Sequence, residues 1–157
     1  MVKLNSTSRL PHITPSVLLV QTDTTVGFLS QDAPKLYNIK SRDTNKPFIR
    51  VFKDFKTLKQ NHIRVANTQK NRVRRAKKTT FIVKGTAFRV AQYKSSSAVL
   101  RYETWHFSTS ANESTKSFSR IFCEQKTDII IEDKYGLFEG EPSKLYKINH
   151  KRIKRLR

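Results

Sequence analysis

Acidic residues, cysteine and glycine are all scarce in this chain. Twelve Asp and Glu stand against 32 Lys and Arg over 157 residues, a formal net charge of +20. That imbalance points to anionic partners such as nucleotides or RNA, and less to acidic lipid; a merely solvated basic face is the plainer alternative. The single cysteine, Cys123, excludes an internal disulfide and fits a reducing compartment. It lies in 118–124, which reads as a helix, so a buried packing role is expected rather than a nucleophile. Only Gly27, Gly85, Gly136 and Gly140 are present, so neither common Gly-rich phosphate loop exists. Any phosphate must be held by side chains and backbone N–H groups. His12, His62, His106 and His150 have no partner at a metal-ligand spacing. His106, beside Trp105, reads as a packing imidazole. The apolar run Val17–Val20 has four residues, far from the roughly 7–15 of a signal segment or the roughly 20 of a membrane span. A soluble, cytoplasmic protein with no membrane contact is the expectation.

What is present supports one domain with a modest core, since apolar residues make up 36% of the chain. Residues 1–15 are polar and Pro-punctuated and read as a loosely held arm; 16–148 read as the domain, and 149–157 as a basic tail. Ser16–Gln21 is a short apolar run and so a buried strand. A loop at Thr22–Gly27 follows, turning at Gly27, where open α/β sheets keep their sites. Ser30 or Asp32 caps a helix with Pro34 in its first turn and Lys40 at its end. Phe48–Phe52 alternates as a strand, and Asp54 caps a second short helix. Residues 61–78 hold no acid, Gly or Pro, and read as a helix or exposed connector. Thr79–Lys84 and Thr86–Gln92 form a strand pair turning at Gly85. Further strands are expected at Ser97–Tyr102, Thr104–Phe107, Asp128–Glu132 and Ser143–Ile148. Ser108–Asn112 reads as a polar loop before a helix at Ser114–Gln125.

The chemistry concentrates in Thr22–Phe48. Thr22, Asp23, Thr24 and Thr25 supply hydroxyls around one carboxylate, and the segment 40–47 reads as extended, with Lys40, Arg42 and Lys46 as three spaced cations. An Arg fork with Lys point charges suits a polyphosphate, and Lys40 and Arg42, two apart, project to one side of extended backbone. Ser108–Asn112, STSAN, adds hydroxyls and an amide suited to phosphate or ribose oxygens. Each piece alone is weak, because Ser-Thr-Asn clusters are more often turns and caps.

Taken together, T-D-T, then K-x-R with a later K-P, then S-T-S-A-N, then P-S-K-L-Y-K-I resemble the YrdC-like family, whose best-known members are threonylcarbamoyl-AMP synthases. The matching blocks are Thr22–Phe28, Lys40–Pro47, Ser108–Asn112 and Pro142–Ile148. The resemblance implies an α/β fold: a twisted, mixed, open sheet with flanking helices and a basic concave cavity. It also implies a reaction in which L-threonine, bicarbonate and ATP, with Mg²⁺, give threonylcarbamoyl-adenylate and pyrophosphate for the modification of a tRNA adenosine. Carried over by motif, Lys40, Arg42, Lys46, Thr80, Ser110 and Asn112 hold ATP, with Arg157 as the family's late arginine. Lys40 and Arg42 are the catalytic pair; Thr22, Ser108 and Ser143 line the threonine side. Gln21, Val26 and Asp43 depart from the family pattern. The stretch Arg64–Lys78 and the C-terminal tail are the expected contacts to tRNA or to partner proteins of tRNA modification. The alternative from another class is a non-catalytic module of the same fold binding double-stranded RNA or tRNA.

Overall fold

The computed structural model describes residues 2–5 (backbone), 15–91, 99–100, 102–113 and 116–157. Ten strands form one mixed sheet: β1 (Val2–Asn5), β2 (Leu18–Gln21), β3 (Val26–Ser30), β4 (Ile49–Phe52), β5 (Thr79–Val83), β6 (Thr86–Val90), β7 (Trp105–Ser110), β8 (Ile129–Glu132), β9 (Lys144–Ile148) and β10 (Ile153–Arg155). Their spatial order is β1-β8-β2-β3-β7-β4-β6-β5-β9-β10. The pairs β1–β8, β2–β8, β4–β6 and β5–β9 are parallel and the other five antiparallel. Besides the helical residues Val99, Leu100 and Tyr102, four helices are found among the described residues: α1 (Ala33–Lys40), α2 (Phe55–Gln60), α3 (Asn67–Arg75) and α4 (Arg120–Gln125). The mixed α/β sheet with flanking helices is the architecture expected from the sequence.

Side chains alternate across a strand and paired residues share a face, so the register sorts the sheet into two unlike sides. On one lie Leu19, Phe28, Ile130, Phe52, Phe81 and Phe88, all buried and covered by Leu36 of α1, Cys123 of α4, Leu58 of α2 and Val73 of α3. Burying each of its four phenylalanines stabilises the fold by about 2 kcal/mol. On the other side the β8–β2–β3 portion is the apolar cluster, with Leu18, Val20, Leu29, Ile129 and Ile131 packed with Val99. The centre of that second face carries Gly27, Ser108, Ser110, Arg89 and Thr80. A core that covers one face completely and the other only at one end leaves a polar hollow in the middle.

Several local expectations change. Val2–Asn5, inside the segment read as an arm, pairs in parallel with Ile129–Glu132. Ile153–Arg155, inside the segment read as a tail, pairs with β9. Val26–Ser30 is a strand, so Gly27 sits within β3 and the reversal falls at Thr22–Thr25. Of the strand expected at Ser97–Tyr102, residues 97, 98 and 101 lie outside the described residues; Val99, Leu100 and Tyr102 are helical. Of the helix expected at Ser114–Gln125, residues 114 and 115 lie outside the described residues and 116–119 are not helical; Ser119 accepts the Phe122 N–H and caps the helix that starts at Arg120. Asp32, not Ser30, caps α1, accepting from Lys35 N at 3.1 Å. Among the described residues no helix is long and apolar enough to cross a membrane.

Candidate functional site

The polar hollow begins with the Thr22–Thr25 turn. The Thr22 hydroxyl accepts the N–H of Thr24 (3.2 Å) and Thr25 (3.3 Å) and donates to the Thr25 carbonyl (2.7 Å). A small hydroxyl that satisfies three backbone groups is why this turn closes without a glycine. The segment 138–143 then straps the turn down. Val26 N donates to Phe138 O, Phe138 N to the Gln21 side chain, and Gly140 N to Thr25 Oγ1. Gly140 is required there: a Cβ would stand 2.1 Å from the Thr24 carbonyl oxygen. Gln21, a departure from the family pattern, thus supplies the acceptor that anchors the strap.

Between turn, strap and sheet lies a cavity of about 280 Å³. Thr22, Thr24 and Thr25 line one side, Ser108, Thr109 and Ser110 the floor, and Ser143 with Arg157 the strap side. Arg89 reaches in from β6. It forms a two-pronged ion pair with Asp23, both N···O distances 2.7 Å, and donates to Thr24 Oγ1 at 3.2 Å. Arg157 donates its Nε–H to the Ser143 carbonyl at 3.1 Å, while its own carbonyl accepts from Leu145 N. Arg42 closes the remaining side, with its guanidinium 5.3 Å from the Phe48 ring centroid.

A second cavity of about 330 Å³ adjoins the first and shares Arg42, Thr109 and Ser110 with it. Its other lining residues are Lys40, Ser41, Asp43, Lys46 and Asn112. The 40–47 segment is not extended, as the sequence had implied. Ser41 takes the left-handed conformation (φ 45°) that ends α1, and Asp43 accepts from Asn45 N at 2.9 Å while Lys46 N returns to Asp43 O. This turn, made by the aspartate's local hydrogen bonding, is what gathers Lys40, Arg42 and Lys46 around one cavity. Asp43 is therefore a structural part of this cavity's wall as well as a negative charge on it.

Lys40 is buried, and its Nζ donates to Ser110 O at 3.1 Å, Asn112 Oδ1 at 2.7 Å and Asn112 O. Ser110 Oγ donates to the same Asn112 Oδ1 at 2.7 Å. Burial, aided by the Arg42 charge, holds the Lys40 pKa down to about 8. Lys40 thus ties the α1 end to the STSAN segment, whose first three residues belong to β7 and whose Ala111 is buried against Cys123. Burial pushes the Cys123 thiol up to about 11, which keeps it a neutral packing group.

Nine of the ten residues singled out from the sequence line one or both cavities: Thr22, Lys40, Arg42, Lys46, Ser108, Ser110, Asn112, Ser143 and Arg157. Thr80 does not. It is fully buried with its hydroxyl 2.8 Å from Ser143 Oγ, one layer behind the wall. Val26 turns into the helix-side core beside Phe28, away from the hollow. His106 sits on the cavity face but is buried; among the described residues neither ring nitrogen has a partner, and burial pushes its pKa down to about 3. The residue that sequence reasoning missed is Arg89. Its signal was present: with Phe88 buried on one side of an alternating strand, Arg89 had to face the other.

No family model matches the chain, and no curated protein matches it. Solved structures do resemble it. P. abyssi Sua5 complexed with L-threonine superposes with a TM-score of 0.75 at 16% identity, over 99% of this chain and 56% of that one. E. coli YciO gives 0.74 at 15% identity, over 99% and 93% of the two chains. Full-length HypF in a phosphate- and nucleotide-bound form gives 0.72 at 12% identity, over 91% of this chain and 27% of that one. The chain thus spans just over half the length of the Sua5 structure. At these identities the likeness is one of fold, and the fold is YrdC-like.

Proposed function

We propose that this protein makes threonylcarbamoyl-adenylate from L-threonine, bicarbonate and ATP. The observation that carries the reading is the pair of adjoining cavities: one small and hydroxyl-lined, the other cationic, with Arg42 between them. A threonine of a few heavy atoms fits the first, with its carboxylate toward Arg157 and its hydroxyl among Thr22, Ser108 and Ser143. The ATP phosphates fit the second, against Arg42 and Lys46, with Asn112 and Ser110 oriented by Lys40. Support comes from the likeness of fold to a Sua5 structure complexed with L-threonine; the HypF structure, matched over 27% of its chain, is phosphate- and nucleotide-bound.

The reaction asks little general acid–base chemistry of the protein. Threonine's amine condenses with bicarbonate to a carbamate with loss of water, and a carbamate oxygen then attacks the α-phosphorus of ATP as pyrophosphate leaves. Alignment of the reactants and neutralisation of developing charge then supply the acceleration. Arg42, at the junction, is the group placed to bridge the carbamate and the α-phosphate. Bound with ATP, Mg²⁺ would neutralise phosphate charge, and Asp43, the one carboxylate among the described residues lining the cationic cavity, is the side chain that would help hold it. The adenylate would then pass to the partner proteins that modify tRNA.

The test is direct. Purified protein with labelled bicarbonate, threonine, ATP and Mg²⁺ should release pyrophosphate only when threonine is present and should yield the labelled adenylate. Absence of product at high protein concentration would sink the reading. In an active preparation Arg42→Ala should lower kcat/KM by at least about 100-fold, the cost of one transition-state charge contact. It should lower Tm by only about 2–4 °C, the value of a lost stacking contact of about 1 kcal/mol. Near-normal turnover in that variant would remove Arg42 from the chemistry.

A further inference from the structure

A hollow of about 730 Å³ lies on the opposite face of the sheet, between α3 and the β5–β9–β10 edge. Thr68, Asn71, Arg72 and Arg75 recur at helical spacing, so they form one stripe of α3 and make one wall. Gln69 and Val73 bury the helix's other stripe, and Arg74 turns away to lie 4.4 Å over the Phe55 ring. Lys144 of β9 stands on the other wall and Lys77 at the end. The floor is Phe81 and Tyr146, stacked at 6.2 Å, with Tyr146 half-buried. Thr68 Oγ1 donates to His150 O at 3.0 Å, which fixes α3 to the turn between β9 and β10. Among the described residues no acidic side chain lines the groove. Among the described residues, Arg72, Arg75, Lys77 and Lys144 form no ion pair with a carboxylate.

We infer that this groove is a docking site for an RNA strand, independent of the adenylate-forming reading and separate from the cavity on the other face. Exposed cations spread along an open groove match a chain of phosphates rather than one small anion, which they would meet one at a time. Arg72 and Arg75 carry guanidinium forks suited to phosphate oxygens. Thr68 and Asn71 add the hydroxyl and amide that position a phosphate–sugar backbone. The half-buried Tyr146 ring between the two cationic walls offers a base a stacking surface. In the sequence the basic stretch 61–78 has no aromatic at all; the fold brings Tyr146 to it from β9. A lipid surface is a poorer match, because the groove is concave and the exposed large apolar side chains Ile121, Tyr135 and Phe138 are not among its lining.

The experiment measures fluorescence anisotropy of a short labelled single-stranded RNA with the full chain across a salt series. Arg72→Ala/Arg75→Ala/Lys144→Ala is compared with Lys35→Ala/Lys126→Ala/Lys134→Ala, which removes equal charge from exposed sites on the far half of the sheet. The groove variant should bind at least tenfold more weakly, and the slope of log K against log salt should shrink by about 2, near 0.7 per lost phosphate contact. The control should bind within about threefold of the parent. Equal losses in the two variants would mean that net charge alone holds RNA and would overturn the proposal. So would an unchanged groove variant, or poly-glutamate displacing the RNA as effectively as unlabelled RNA does. ATP binding measured in parallel should be the same in the groove variant as in the parent. A failure of the groove therefore stays distinct from a failure of the adenylate reading.

Discussion

The two faces of the sheet carry two kinds of positive charge. In the cavities three of the cations are engaged, while Arg42 and Lys46 line the hollow without an ion pair among the described residues. Lys40 meets three oxygens, Arg89 clasps Asp23, and Arg157 holds a carbonyl. In the groove behind, Arg72, Arg75 and Lys144 are exposed and extend into solvent. Restrained cations present fixed donors to one small, shaped anion, because the ordering of their side chains is complete before the ligand arrives. Free cations lose more entropy on binding, but they adapt to a polymer and respond steeply to salt. The cations of the two sites thus form two populations, one largely held by the fold and one open to solvent.

That division breaks first at Gly140. Because its Cβ would sit 2.1 Å from the Thr24 carbonyl, Gly140→Ala must push the strap off the Thr22–Thr25 turn and open the small cavity. Backbone conflict of this kind costs about 2–3 kcal/mol, so Tm should fall by about 4–12 °C. Threonine-dependent turnover should disappear while RNA binding in the groove remains. An unshifted Tm with intact turnover would show that the strap gives way without consequence. Asp23→Asn comes next. It leaves Arg89 in place with one prong of its pair weakened and little water to replace it. Since Asp23 is about a quarter exposed, the loss should be nearer 2 than the about 3–5 kcal/mol of a fully buried pair. The double variant Asp23→Leu/Arg89→Met should recover part of that stability but none of the activity. If Asp23→Asn alone melts like the parent, the pair is surface decoration.

Much of this division was legible before the structure. The strands on the apolar face announced themselves by alternation or by short runs, and Asp32, Asp54 and Pro34 marked helix starts by local hydrogen bonding and fixed φ. Lys40, Arg42, Lys46 and the STSAN segment were visible as a set, because their residue types suit one ligand chemistry. What could not be read was pairing. The partnership of Arg89 with Asp23, 66 positions apart, depends on β6 and the Thr22 turn meeting across β4, β7 and β3. Nothing local encodes that. Val26–Ser30 escaped for a different reason: glycine within VGFLS reads as a turn, whereas here it admits the close approach of the Thr109 carbonyl and the Thr22 methyl. Thr80 was a ligand contact by the family resemblance alone. Only burial shows it standing behind Ser143.

The finest test of the engaged population is the pH dependence at Lys40. Its pKa in the folded chain is about 8 against an ordinary 10.5, so the unfolded chain holds a proton there that the folded chain releases between those values. Stability attributable to this group must therefore rise with pH from about 8 towards 10.5, by on the order of 1 kcal/mol per unit. Subtracting the same titration measured on Lys40→Met removes the contribution of every other lysine and tyrosine. ATP affinity should move the opposite way. As Nζ loses its charge, it keeps two N–H donors for three acceptors, and Asn112 loses the restraint that orients it toward the nucleotide. The parent's affinity should fall severalfold between pH 7 and pH 9 while that of Lys40→Met stays flat. Parallel curves for the two proteins would show that Lys40 only fastens α1 to the STSAN segment, and the charge that matters to the nucleotide would then be that of Arg42 and Lys46.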